Sequence, residues 1–191
     1  MSRASDGSQE LLIRAAGDLI VDVGPRAATV RDISRRAGVN HGLVHHYFRG
    51  KDQLLRAAML RLLEEHRDFV KEQGGGRPIP PPMLLLQQSR YMRAVAHCVL
   101  DGRIDLASLE VEEGISVPRR ALDHISAKRG QQEPSVELKA GVCLAMAMEM
   151  GWALLEPFLF AVTGVSTSEE GDVRDLAKTA RKSLAEEALR A

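Results

Sequence analysis

Between Asn40 and Tyr47 the chain gathers Asn40, His41, His45, His46 and Tyr47, all able to exchange hydrogen bonds, around Gly42 and Leu43. Carboxamide, imidazole and phenol groups donate to and accept from base edges and phosphate oxygens, and a leucine can meet a thymine methyl. A glycine among them lets the backbone approach a partner closely. If residues 40–48 are helical with Val44 and Phe48 turned inward, 100° per residue puts Gly42 and His46 on the opposite side, flanked by Leu43 and His45. Asn40 and His41 then lie at the positive end of the helix dipole, where phosphate is favoured. The chemistry this surface suits is nucleic-acid recognition. His41 and His45 also have the i, i+4 spacing of a chelating pair, with His46 adjacent, but without a nearby cysteine or carboxylate the ligand set is incomplete and no metal is expected.

The elements that must carry this surface follow from caps and breakers. Thr29 can cap a short helix, with Asp32 three residues later as a variant of the capping box, and that helix should reach about Arg36. Ala37-Gly38-Val39 is a tight turn in which Gly38 can take a positive φ, and Asn40 caps a third helix through Phe48. Two short helices across so brief a turn describe a helix-turn-helix. Ahead of them, Leu12, Ala15, Ala16, Leu19, Ile20 and Val23 form one stripe of a first helix that starts near Asp6 or Ser8 and ends at Gly24-Pro25. Arg49-Gly50 breaks the third helix, and Lys51 opens a longer one toward Gln73.

Helix formers dominate the rest of the chain and aromatics are only 4%, so the fold class is all-α. Residues 74–82, rich in Gly and Pro, cannot continue a helix and read as a linker. Helices are expected over Met83–Asp101, Arg103–Leu109, Ser116–Lys128 and Ser135–Thr163, with a last one from about Ser168. Formal net charge is zero, so no global field draws the molecule onto nucleic acid. Residues 1–51 nevertheless carry a net +3 and the remainder −3. Cys98 and Cys143 fall in apolar helical runs and are expected to be buried free thiols in a reducing cytoplasm. No secretion signal follows Met1. Residues 141–165 are apolar over a membrane-spanning length, but Glu149, Glu156 and Pro157 interrupt them, so a helix buried against other helices is expected and no membrane partner. No phosphate loop, nucleophile motif or cofactor signature suggests an enzyme.

The run from Ala28 to Leu55, with its Thr29-Val30-Arg31-Asp32-Ile33 core, Ala37-Gly38-Val39 turn, Gly42, Tyr47-Phe48 ending and Lys51, resembles the DNA-binding domain of the TetR family of bacterial regulators, over residues 10–60. It departs from many members at His45, where they carry tyrosine, and at Gly50, where they carry Ser or Thr. The resemblance implies a cytoplasmic homodimer that sets two recognition helices in successive major grooves of a near-palindromic operator of double-stranded DNA. It implies a DNA-binding domain over 1–52 and a helical effector-binding and dimerisation domain over 53–191. Carried over by position, Thr29 and Val30 offer a helix amino end to phosphate, Asn40, His41, Gly42, Leu43, His45, His46 and Tyr47 meet bases or phosphates, and Lys51 clamps a phosphate.

The last two long helices would pair with their copies, through Gly141, Ala145, Trp152, Leu155 and Leu159 on one and Val173, Leu176, Ala180 and Leu184 on the other.

 A small-molecule effector would sit in a cavity walled by Met92, Val95, Met146, Met150 and Trp152, with Tyr91, His97 and Glu149 as polar anchors. Of these, Glu149 is the best single candidate, because a carboxylate in an apolar helix needs a partner or a cationic ligand. The alternative is a DNA-binding module whose C-terminal helices recruit a protein partner, with no small-molecule effector.

Overall fold

The computed structural model describes the backbone of residues 2–75, 77, 81–84 and 89–188, and their side chains apart from those of 2–6, 89 and 184–188. Ten helices follow in order among the described residues: α1 (Ser2–Ala27), α2 (Val30–Ala37), α3 (Gly42–Phe48), α4 (Lys51–Gly74), α5 (Ser89–Leu100), α6 (Ile104–Ala107), α7 (Leu109–Glu112), α8 (Val117–Lys128), α9 (Val136–Thr163) and α10 (Glu170–Ala188). They form an N-terminal helix-turn-helix domain followed by a helical domain. Two compact units result, Met1–Asp68 with Arg90–Gly114, and Phe69–Ser89 with Ile115–Ala191. The compact units therefore part inside α4, and not after residue 52 where the functional boundary is expected, because α5 to α7 cluster with the helix-turn-helix.

In the first unit α1 supplies the core with Leu12, Ala15, Ala16, Ile20 and Val21. Val23, expected on the buried stripe, is 48% exposed, because the buried face is centred on Ile20 and takes in Val21 and Gly17, the latter against Leu62. The helix breaks where Gly24-Pro25 announces it: Gly24 has φ 85° and ψ 163°, a region open essentially only to glycine. One further turn follows, closed by Ala28 N–H donating to Gly24 O at 3.2 Å. The break at Gly24 leaves the Arg26 amide without an acceptor in its own helix, and Asp101 Oδ2, just past the end of α5, provides one at 2.8 Å.

Thr29 caps α2, its Oγ1 accepting the Asp32 N–H at 3.1 Å. At the other end Gly38, with φ 67°, donates to Arg35 O while Val39 donates to Ser34 O, the two hydrogen bonds of a Schellman motif. α4 buries Leu54, Leu55, Ala58, Met59, Leu62, Leu63 and His66, and α5 buries Tyr91, Met92, Ala94 and Cys98. Burial pushes the Cys98 thiol up to about 11, so it stays protonated and packs against Met59.

In the second unit Ser116 and Ser135 cap α8 and α9 by accepting the amides of Arg119 and Leu138. Expectation and structure part at α9. It is long and apolar enough to cross a membrane by length and composition, yet only 6% of its apolar window is buried in the chain, so it is not a helix buried against other helices of its own subunit. Cys143 is exposed for the same reason, against the expectation of a buried thiol.

Two positive-φ glycines of the DNA-reading half, Gly38 and Gly24, should differ in tolerance. Gly38→Ala, with open space around the added Cβ, should cost about 1 kcal/mol of left-handed strain. Gly24→Ala, whose Cβ would lie 2.8 Å from Asp101 Oδ2, should cost about 3 kcal/mol or more. Urea midpoints of the two variants check the order, and equal costs would contradict the account of Gly24.

Candidate nucleic-acid interface

The recognition surface is built on a helix of seven residues. Val44 and Phe48 anchor it, at 0% and 5% exposure. His41, Gly42, His45 and His46 are exposed, with Leu43 and Tyr47 half-buried. Asn40 Oδ1 accepts the Gly42 N–H at 2.8 Å, so Asn40 fixes the start of α3 from two residues away and keeps its amide nitrogen free of that bond. A Cβ on Gly42 would meet only Asn40 Oδ1, at 3.3 Å; the protein itself does not demand glycine there, which fits a close approach by a partner. The imidazole of His46 packs edge-on to Tyr47, centroids 4.8 Å apart. Arg49, and not Gly50, takes the left-handed position that ends α3, with φ 57° and its N–H donating to His45 O.

At the amino end of α2, Thr29 is exposed and Val30 half-buried. The Thr29 hydroxyl donates to Asp32 Oδ2 as well as accepting from the Asp32 amide. This hydrogen bond, followed by the charges of Arg35 and Arg31, holds the Asp32 carboxyl below the usual range. Arg36 is committed to Asp22 at 2.7 Å and to Asp18 at 3.5 Å. Lys51, at the start of α4, donates from Nζ to Arg26 O at 3.2 Å. Its pKa is lowered, first by burial and then by the Arg103 guanidinium, against the opposing pull of Asp52 and Asp101. Arg103 in turn reaches Asp52 Oδ1 at 3.0 Å and Asp105 Oδ2 at 2.8 Å. Sequence reasoning found Lys51 but missed Asp101 and Arg103, which approach it from across 50 residues or so of chain and carry no local signature.

The expected effector residues divide between the units. In the first, Tyr91 and Met92 are buried and Val95 and His97 half-buried. His97 packs beside Gly24, its Nδ1 3.2 Å from where a Cβ on that glycine would stand. Tyr91 stacks on His66, centroids 4.7 Å apart at 22°. In the second, Met146 is 37% exposed, Met150 and Trp152 are half-buried and Glu149 is buried. Glu149 has partners within its own chain: Oε1 accepts the Met83 N–H at 2.7 Å and lies 3.0 Å from Arg181 Nε. Trp152 donates from Nε1 to Glu156 Oε1 at 2.8 Å. Glu156 also accepts from Arg174, whose guanidinium lies over the Phe160 ring.

Of the residues expected to join two copies, Gly141, Ala145, Trp152, Leu159 and Val173 are half-buried, and Leu155, Leu176 and Ala180 are exposed. The Leu184 side chain lies outside the described residues. A continuous stripe accompanies them on α9: Leu144, Met148, Leu155, Phe158 and Val162, between 38% and 68% exposed, with Gly151 filling the gap, at the three- and four-residue spacing of a helix–helix seam. Among the described residues no group of three His, Cys, Asp or Glu is arranged to hold a metal ion.

Residues 12–58 match the family model of bacterial regulatory proteins of the tetR family. An HTH-type transcriptional repressor of Mycobacterium tuberculosis is 29% identical over 163 residues, covering 85% of this chain and 81% of the repressor. The HTH-type transcriptional regulator BetI of Stenotrophomonas maltophilia is 45% identical over 62 residues, 32% of each protein. In fold, the chain is similar to the crystal structure of a tetR-family transcriptional regulator from Streptomyces coelicolor, with a TM-score of 0.55 at 20% identity, covering 97% of this chain and 89% of that one. Fold and site together define a DNA-binding transcriptional regulator of the helix-turn-helix class. Within that class the likeness to the tetR family lies in the DNA-binding segment, residues 12–58.

Buried His66 generates a pH prediction. Desolvation lowers its pKa from 6.5 to about 4, so between those values the unfolded chain binds a proton that the folded chain refuses. Stability is then complete above pH 6.5 and falls as the pH drops toward 4, by up to about 3 kcal/mol. Denaturant unfolding of the wild type and of His66→Phe across this range should show the variant lacking that part of the acid loss.

Proposed function

We propose that this regulator is a homodimeric repressor that leaves a near-palindromic operator when a small-molecule effector binds. The observation that carries the DNA-reading part is the division of α3 into two buried anchors, Val44 and Phe48, and an outward surface of His41, Gly42, His45 and His46. Side chains so placed can hydrogen-bond base edges in a major groove, and Asn40 and Tyr47 extend the surface at either end. Thr29, Val30 and Lys51 supply contacts to phosphate, which position the helix without reading sequence. Work of this kind belongs to the cytosol.

Pairing is supported by the α9 stripe. An apolar seam of this length left in water is costly, and covering it with the same seam of a second copy needs no other partner. Repression is supported by a relative that bears the name repressor. Effector control follows by linkage: a ligand that prefers a dimer with its recognition helices at the wrong separation weakens operator affinity by the same coupling energy. The effector would be recognised in the helical part, where Met146 and Met150 offer adaptable apolar surface.

Two measurements test the reading. In fluorescence anisotropy over a salt series, Lys51→Ala should weaken binding similarly on all duplexes and lower the salt slope by about one, whereas His46→Ala should change base preference. An unchanged slope for the lysine variant refutes its phosphate role. In sedimentation, the wild type should run as a dimer and Leu155→Glu with Phe158→Glu as a monomer of weaker operator affinity; a wild type that is monomeric at micromolar concentration refutes the pairing.

A further inference from the structure

Lys51 does not stand free at the head of α4. Its ammonium is held by the Arg26 carbonyl at 3.2 Å, and that carbonyl belongs to the single turn beyond the break at Gly24. The turn is fixed from the end of α5, where Asp101 Oδ2 accepts the Arg26 N–H at 2.8 Å. Two residues further on, Arg103 Nη1 donates to Asp52 Oδ1 at 3.0 Å, the residue next to Lys51, while its other nitrogens are tied to Asp105. The corner between α5 and α6 therefore grips both sides of the lysine: the turn that holds its ammonium and the first turn of the helix that carries its backbone.

We infer that this corner positions the Lys51 phosphate clamp, with Asp101 setting the Arg26 carbonyl, and so the place from which the ammonium meets DNA, and Arg103 steadying the start of α4. The inference rests on the reading of Lys51 as a phosphate contact. It makes Asp101 and Arg103 positioning residues, which act through Lys51 and touch no nucleic acid themselves. For Asp101 this reverses the sign that charge alone would give. Deleting a carboxylate near a DNA-facing lysine raises the local positive potential and should tighten binding; deleting the acceptor that orients the lysine's seat should loosen it.

The test uses the full chain and a labelled duplex of random sequence, since phosphate contacts are independent of sequence, with affinity measured over a salt series. Asp101→Ala should bind about tenfold more weakly, the worth of one hydrogen bond to a charged group, and its salt slope should fall by about one. Asp101→Asn removes the charge but keeps an acceptor for the Arg26 amide, and should bind as tightly as the wild type or more so. In a Lys51→Ala background, Asp101→Ala should lower the slope no further. Arg103→Gln provides a second arm, to be used alone if Asp101→Ala loses its helical circular dichroism: it should lower the slope only where Lys51 is present. Tighter or unchanged binding by Asp101→Ala overturns the inference, as does a slope change by either variant that persists without Lys51. If Lys51→Ala itself leaves the slope unchanged, the phosphate reading of Lys51 fails instead, and the positioning role falls with it.

Discussion

Helices of eight and seven residues do not persist in water by themselves, because the nucleation cost is spread over too few hydrogen bonds. The DNA-reading half of this protein therefore depends on the burial of a few side chains: Ile33 from α2, and Val44 and Phe48 from α3, each at 5% exposure or less. Thr29 and the Schellman turn at Gly38 satisfy the helix ends but cannot hold α2 and α3 in place. α1 packs against both and does that, with Leu12 and Ile20 completely buried. The outward surface of α3 thus takes its position from a long buried helix, which is what a groove reader requires of its scaffold.

Most of this half was legible in the sequence because its signals are local. A hydroxyl three residues ahead of a carboxylate, a glycine at a left-handed position and an asparagine ahead of a glycine each determine a few backbone bonds within their own segment. The features that were not legible are those made between distant segments. Nothing around Asp101 marks it as the cap of a turn 75 residues away, and Glu149 gives no sign that Arg181 and the Met83 amide will satisfy it. Arg49-Gly50 ends α3 as its composition announces, with Arg49 in the left-handed region and Gly50 following at φ 149°.

The helical half was legible in part of its elements and not in its surfaces: Met83, expected to open a helix, has a positive φ, and the single helix expected over Arg103–Leu109 divides into α6 and α7. Ser116 and Ser135 announced α8 and α9 closely. Hydrophobic periodicity, however, records that a face avoids water and not which molecule covers it. In α9 an apolar run was expected to be buried against other helices, and within the chain Leu144, Leu155, Phe158 and Val162 are left uncovered. Tyr91 and Met92, whose types suit a ligand wall, are buried within the first unit. Charge obeyed simpler rules: Glu149 and Arg181, both nearly removed from solvent, are paired with each other, as buried charges must be.

The anchoring of α3 by only two fully buried side chains has a consequence for how such a protein changes over generations. Positions 41, 42, 45 and 46 bear almost none of the packing energy, so substitutions there leave the scaffold as stable as before. The outward surface can therefore change one residue at a time, through intermediates that all still fold, while the core beneath stays fixed.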